Sequence, residues 1–177
     1  MPFKTIALLA LFAIVTFSTA AQHKQITEFT KGGILLIKLD NGFTSGLKSY
    51  TPDLYTGGLT ANPQLTVVPD VLRLGVNAGV AYNDKRFSGL FGPMAALKLT
   101  DIKTKNYGSL ANIHLIAEAN WGTNHQQMAG GGVGIELLQK LQVGATVQRD
   151  YHLNNWWFRS FIAYQLNFRK KIVNEFN

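Results

Sequence analysis

The chain has 177 residues, 46% of them hydrophobic and 15% charged, with 17 basic against 10 acidic side chains, a net charge of +7 and no cysteine. The missing cysteine excludes a disulfide framework, a cysteine zinc site and a lipid-modified N-terminal cysteine. A basic excess can serve nucleic acid or an anionic membrane surface, but the basic residues form no long run and nucleic acid is not an expected partner.

Residues 1–21 read as a secretory signal peptide. Lys4 gives the positive start, Ile6 to Phe17 the apolar core, and Ser18-Thr19-Ala20 or Thr19-Ala20-Ala21 the small-residue cleavage site. The apolar run is shorter than the roughly 20 residues of a spanning helix. Polar Gln22-His23-Lys24-Gln25 follows it, and 22–32 reads as a periplasmic N-terminal segment.

After residue 21 no apolar run is long enough for a transmembrane helix. Period-two alternation dominates from about residue 56 to 168, punctuated by Gly, Pro, Asn and Asp turns. Eight strands are expected, at 33–40, 56–67, 71–82, 88–100, 109–121, 127–138, 141–150 and 156–168. Most approach the roughly 9–11 residues with which a tilted strand crosses hydrocarbon. The first stands apart, because Ile34-Leu35-Leu36-Ile37 is apolar on both faces. Pro63 and Pro93 fall inside strands and predict bulges or local irregularity, because proline cannot donate to a ladder. Residues 169–177 form a tail with the densest basic cluster, Arg169-Lys170-Lys171, either a solvated end or an anchor beside anionic lipid.

The faces of these strands decide the class. The last strand sets Trp156, Phe158, Ser160, Ile162, Tyr164, Leu166 and Phe168 against Trp157, Arg159, Phe161, Ala163, Gln165 and Asn167. The strand at 109–121 sets Ala111, Ile113, Leu115, Ala117, Ala119 and Trp121 against Asn112, His114, Ile116, Glu118 and Asn120. A soluble barrel also alternates, with its apolar face inward. Here the polar face is rich in Gly, Asn, Gln and Thr, whereas soluble surfaces carry more Lys and Glu. With the mature N-terminus in the periplasm, Tyr82, Trp121 and Trp156 fall at one outer rim and Phe168 at the opposite rim, as two aromatic girdles require. The expected fold is all-β: an eight-stranded antiparallel up-and-down transmembrane β-barrel over 33–168. Closure leaves no unpaired edge, which hydrocarbon does not tolerate.

This pattern resembles the small eight-stranded outer-membrane barrels of the OmpA/OmpX type. It resembles most the uncharacterised small barrels of Bacteroidota, in segments such as Asp84-Lys85-Arg86-Phe87 and Leu90-Phe91-Gly92-Pro93. Two departures stand out: nine residues follow Phe168, and the turn at 101–107 is long for a periplasmic one. The resemblance implies a Gram-negative outer membrane, contact with its lipid and lipopolysaccharide, and the barrel-assembly machinery during biogenesis. It implies no cofactor.

The inward face gathers Lys38, Arg73, Lys98, His114, Glu118, Glu136 and Arg159. Side chains can just fill an eight-stranded interior, and charges there must be paired. Glu136 is expected to pair with Arg73 or Lys98, and Glu118 with Arg159. An internal polar plug is the expectation; a narrow gated conduit, a soluble ligand-binding barrel and a lipid-modifying enzyme are the alternatives. His114 and Glu118 share a face, as a base and its partner could, but no G-x-S-x-G motif accompanies them, so catalysis is not expected. His23, His114, His125 and His152 are dispersed, with no metal spacing. The glycines of Gly130-Gly131-Gly132-Val133-Gly134 are expected to clear room for Trp157 or Phe161. The outer loop 41–55, with Tyr50, Asp53 and Tyr55, is the candidate surface for external contact.

Overall fold

The computed structural model describes residues 32–46, 54–104, 108–137 and 140–168. The expected signal peptide 1–21, residues 22–31, Tyr50, Asp53 and the tail 169–177 lie outside the described residues. Eight strands follow in chain order: β1 Gly33–Ser45, β2 Leu54–Val68, β3 Leu72–Asn83, β4 Arg86–Thr104, β5 Gly108–Gly122, β6 Gln127–Leu137, β7 Leu141–Asp150 and β8 Asn155–Phe168. Each pairs antiparallel with its chain neighbour, and β1 pairs with β8, so the sheet closes on itself as a barrel.

Alternation builds this object. Inward positions on β8 are Trp157, Arg159, Phe161, Ala163 and Gln165, all buried, while Ile162, Tyr164 and Leu166 between them are exposed. The same split repeats around the wall, so the apolar face is the outer one. Leu39 is 61% exposed, Leu65 66% and Ile162 58%, while Glu118 is 5% exposed and Glu136 0%.

The hairpins are tight. Asp84 and Lys85 form a two-residue turn with φ of 45° and 59°, the left-handed pair that matches strand twist. Asp70, φ 67°, turns β2 into β3, and the Val71 N–H donates to the Val68 carbonyl at 3.1 Å. Asp150 organises the β7–β8 turn: its Oδ1 accepts from the backbone N–H groups of His152 and Leu153, both at 3.0 Å, and of Gln127 at 3.3 Å.

Three expectations are corrected. β1 continues to Ser45, so the long loop at 41–55 shrinks to the stretch between Ser45 and Leu54. Its alternation persists there, with Asn41 and Phe43 outward and Thr44 buried inward. Likewise β4 reaches Thr104 and β5 begins at Gly108, so most of the turn at 101–107 is strand. Finally, of the two outcomes expected at the prolines, local irregularity occurs and a bulge does not: each interrupts one ladder. The β2–β3 ladder passes from Ala61↔Ala78 to Gln64↔Gly75 in unchanged register, and β4–β5 passes Pro93 in the same way. Each proline sits outward and exposed, and keeps its register partner on the other side: Leu35 for Pro63 and Val76 for Pro93. A missing donor thus costs pairing on one side only. The register shifts lie elsewhere, at Thr66/Val68, Lys98/Thr100 and Ile102/Lys103, all near the end that holds both chain termini of the barrel.

Candidate functional site

The strands carry their inward residues in the same order from the terminal end. β5 presents Asn112 and His114, then Ile116, then Glu118; β8 presents Gln165, then Ala163 and Phe161, then Arg159, then Trp157. Ile34, Leu36, Met94, Ile116, Phe161 and Ala163 form one apolar cluster, and Ala81, Leu90, Met128 and Trp157 another. The charged residues lie along the strands between and below these two clusters.

The central network is built on Glu118. Lys38 Nζ donates to its Oε1 at 3.0 Å, Gln148 Nε2 donates to its Oε2 at 2.7 Å, and Arg159 Nη2 stands 3.6 Å from Oε2. Arg159 also donates to Gln148 Oε1 at 2.6 Å. Lys38 is 3.6 Å from Asp40 Oδ1, and Thr60 Oγ1 donates to Asp40 Oδ2 at 3.2 Å. Lys38 additionally stands over the Phe161 ring at 5.2 Å, and Arg159 over Trp157 at 6.0 Å. Beside this network, Asn62 donates to Asn77, and Asn77 Nδ2 donates to Asn120 Oδ1 at 3.0 Å.

A second network occupies the terminal half. Arg73 Nη1 donates to Glu136 Oε2 at 2.9 Å, and Asn112 Nδ2 donates to the same oxygen at 3.3 Å. His114 Nδ1 bonds Asn112 Oδ1 at 3.0 Å, and its Nε2 meets Gln142 Nε2. His114 is therefore held by two amides, and the bond to Asn112 ties it to the Glu136 pair.

The structure joins Arg73 with Glu136 and Arg159 with Glu118, as the strand positions suggest. It does not bring Lys98 to Glu136. Lys98 instead pairs with Asp101 at 2.7 Å, three residues along its own strand, because a register shift between Lys98 and Thr100 displaces that stretch. Two carboxylates went unforeseen: Asp40, at the end of the expected first strand, and Asp101, assigned to a turn. With them, Lys38, Arg73, Lys98 and Arg159 face Asp40, Asp101, Glu118 and Glu136, four cations against four anions. Each of these eight charges thus has an opposite charge within 4 Å, the condition under which burial is tolerated, while Asp150, also buried, is held by backbone N–H groups instead.

The glycines make space differently from the expectation. Gly134 clears room for His114 and Gln142, while Phe161 is accommodated by Gly144 on β7, where a Cβ would stand 2.6 Å from Phe161 Cζ. At Gly130, Gly131 and Gly132 the atoms nearest an added Cβ are backbone atoms of the neighbouring strands rather than Trp157. Gly144→Ala is expected to destabilise the barrel by about 1–3 kcal/mol, the usual penalty for overpacking. Urea unfolding in detergent measures it, and an unchanged midpoint would count against this packing.

The outer face is aromatic near the end opposite the barrel's termini, where the β3–β4, β5–β6 and β7–β8 turns lie. Trp121 and Phe87 are exposed, Tyr82 and Trp156 half-buried. Tyr82 stands 5.1 Å from Phe87, and Phe43 stacks on Phe158 at 5.1 Å between ring centres. Arg149 lies 5.3 Å from the Trp156 ring and 5.9 Å from Tyr151. Phe168 ends β8 at the opposite end, paired with Gly33. Tyr55 belongs to this outer face rather than to a loop: it is exposed in β2, opposite Phe43.

No family model matches the chain, and no curated protein matches it. A solved structure described as "De novo design of transmembrane beta-barrels" is similar with a TM-score of 0.50 at 15% identity, over 77% of this chain and 98% of that one. A solution NMR structure of de novo designed TMB2.3 gives a TM-score of 0.48 at 10% identity, over 79% of this chain and 96% of that one. The first of these likenesses bears on the fold alone: this chain is an eight-stranded closed antiparallel barrel resembling that designed transmembrane barrel.

Proposed function

We propose that this chain is an integral outer-membrane β-barrel of a Gram-negative bacterium, non-enzymatic, with a structural or interaction role and a lumen plugged by its own side chains. The observation that carries the reading is the reversed polarity of the wall. Ionised and amide groups are paired and buried inside, while Leu39, Leu59, Leu65, Phe91, Leu115, Val147 and Ile162 are presented outward. In water such a face is an aggregation liability. In hydrocarbon it is the required one, and closure satisfies every strand through its neighbours.

The plug follows from size and charge. An eight-stranded interior is just wide enough for side chains, and Trp157, Glu136, Asn112 and Gln148 inside it are 0% exposed. A passing ion would have to break the Glu118 or Glu136 network. The aromatic rim and Arg149, seated against Tyr151 and Trp156, suit the level of lipid phosphates, including those of lipopolysaccharide. Kinship with the OmpA/OmpX type, and export through residues 1–21, belong to the same proposal.

Two measurements test it. After carbonate extraction the protein is expected in the membrane pellet, with heat-modifiable migration on a gel; recovery in the supernatant refutes the membrane reading. In planar bilayers the purified barrel is expected to show no stable single-channel steps, and steady conductance refutes the plug.

A further inference from the structure

At the end opposite the barrel's termini two loops approach each other. His125 lies in the β5–β6 turn and His152 in the β7–β8 turn, and β6 and β7 between them are paired neighbours. The sequence separates these residues widely, yet the barrel sets their rings 5.7 Å apart between centres, tilted by 35°. Both side chains are exposed.

We propose that His125 and His152 form a two-imidazole clamp for a late first-row divalent cation, copper(II) above all. The spacing is the first argument. A metal stands about 2 Å from each imidazole nitrogen, which puts it roughly 3 Å from each ring centre. Two rings on one tetragonal copper ion are then roughly 4 to 4.5 Å apart when cis and roughly 6 to 6.5 Å apart when trans, and the observed 5.7 Å lies between these limits, so a shift of about 1 Å in the exposed rings reaches either.

The loops' rigidity is the second argument. Asp150 Oδ1 holds the His152 and Leu153 N–H groups, the Tyr151 N–H donates to Gln127 O at 2.8 Å, and the Gly122 N–H donates to Gln126 O at 2.9 Å. His125 takes a left-handed backbone conformation, φ 60°. Both ligands are thus presented by pinned turns, so little ordering opposes binding. Imidazole suits copper, nickel and zinc, and the Irving–Williams order places copper first. Among the described residues no third His, Cys, Asp or Glu joins them, so water completes the coordination. The clamp stands outside the barrel wall and does not rest on the membrane reading.

The test uses the full-length mature barrel in detergent, carrying no polyhistidine tag, titrated with copper(II), nickel(II), zinc(II) and manganese(II). Copper is expected to bind tightest, and manganese not measurably. His125→Asn, which keeps a residue tolerant of positive φ, and His152→Ala are each expected to weaken copper binding at least tenfold. The copper(II) electron paramagnetic resonance spectrum should show two equivalent imidazole nitrogens in the wild type and one in either variant. Wild-type affinity in both single variants, or a spectrum with fewer than two nitrogens in the wild type, overturns the clamp.

Discussion

Glu118→Ala is expected to cost the folded barrel about 3–5 kcal/mol, the range for removing one partner of a buried ion pair. The size follows from what is left behind. Lys38 loses its 3.0 Å partner and keeps only Asp40 at 3.6 Å, while Arg159 keeps a neutral amide, Gln148. The three side chains are almost wholly enclosed, so neither cation can turn to bulk water. Urea unfolding in detergent or lipid vesicles reads the loss as a shifted midpoint. Adding Lys38→Met should restore part of it, because the second change removes an unpaired charge rather than another interaction. A single variant within 1 kcal/mol of wild type would show that the network is not the frame we describe.

The second large effect separates a lipid-facing wall from a water-facing one. Ile162 is mid-strand in β8 and 58% exposed, with Leu39 and Val143 as its ladder partners. Arginine at the bilayer midplane costs a membrane barrel about 2–4 kcal/mol, falling to about 0–1 near the interface. Ile162→Arg should therefore destabilise the barrel strongly in vesicles, and Phe87→Arg, at the rim hairpin, only slightly. On a soluble protein both are exposed surface changes, within about 0.5 kcal/mol. Equal, small effects at the two depths would refute the membrane reading while leaving the fold intact.

Much of the fold was legible because a strand has only two faces. Once Leu141, Val143, Ala145 and Val147 alternate with Gln142, Gly144, Thr146 and Gln148, the strand and its orientation follow without any tertiary knowledge. β1 was harder to bound for a physical reason. Ile34 and Leu36 face inward, but onto an apolar cluster with Phe161 and Met94, so the inner face there is as greasy as the outer one. Its second half, Asn41-Gly42-Phe43-Thr44-Ser45, reads as loop chemistry, although Gly42 is there because the β8 backbone comes too close for a Cβ.

The interior partners were legible only in part. Opposite charges were expected to meet, and Arg73 with Glu136 could be placed at one end from strand direction alone. The Lys38–Glu118 contact joins β1 to β5, across the barrel, and depends on strand stagger, which no single strand's sequence encodes. The same is true of Lys98, whose partner was decided by a register shift, and of His125 beside His152. Position along a strand can be read from sequence; angular position around a closed wall requires all the registers together.

The seam between β1 and β8 has a kinetic meaning. The other seven ladders join neighbours in the chain, through hairpins of a few residues where the turns are described. The eighth joins Gly33 to Phe168 and continues to Ser45 and Trp156, so it must wait for almost the whole chain. Non-local pairing of this kind is what slows folding. Until that last ladder zips, two bare edges remain, each able to template a strand from another molecule. Closure is therefore the commitment step, and a chaperone or catalyst acting on this protein gains most by guarding those two edges.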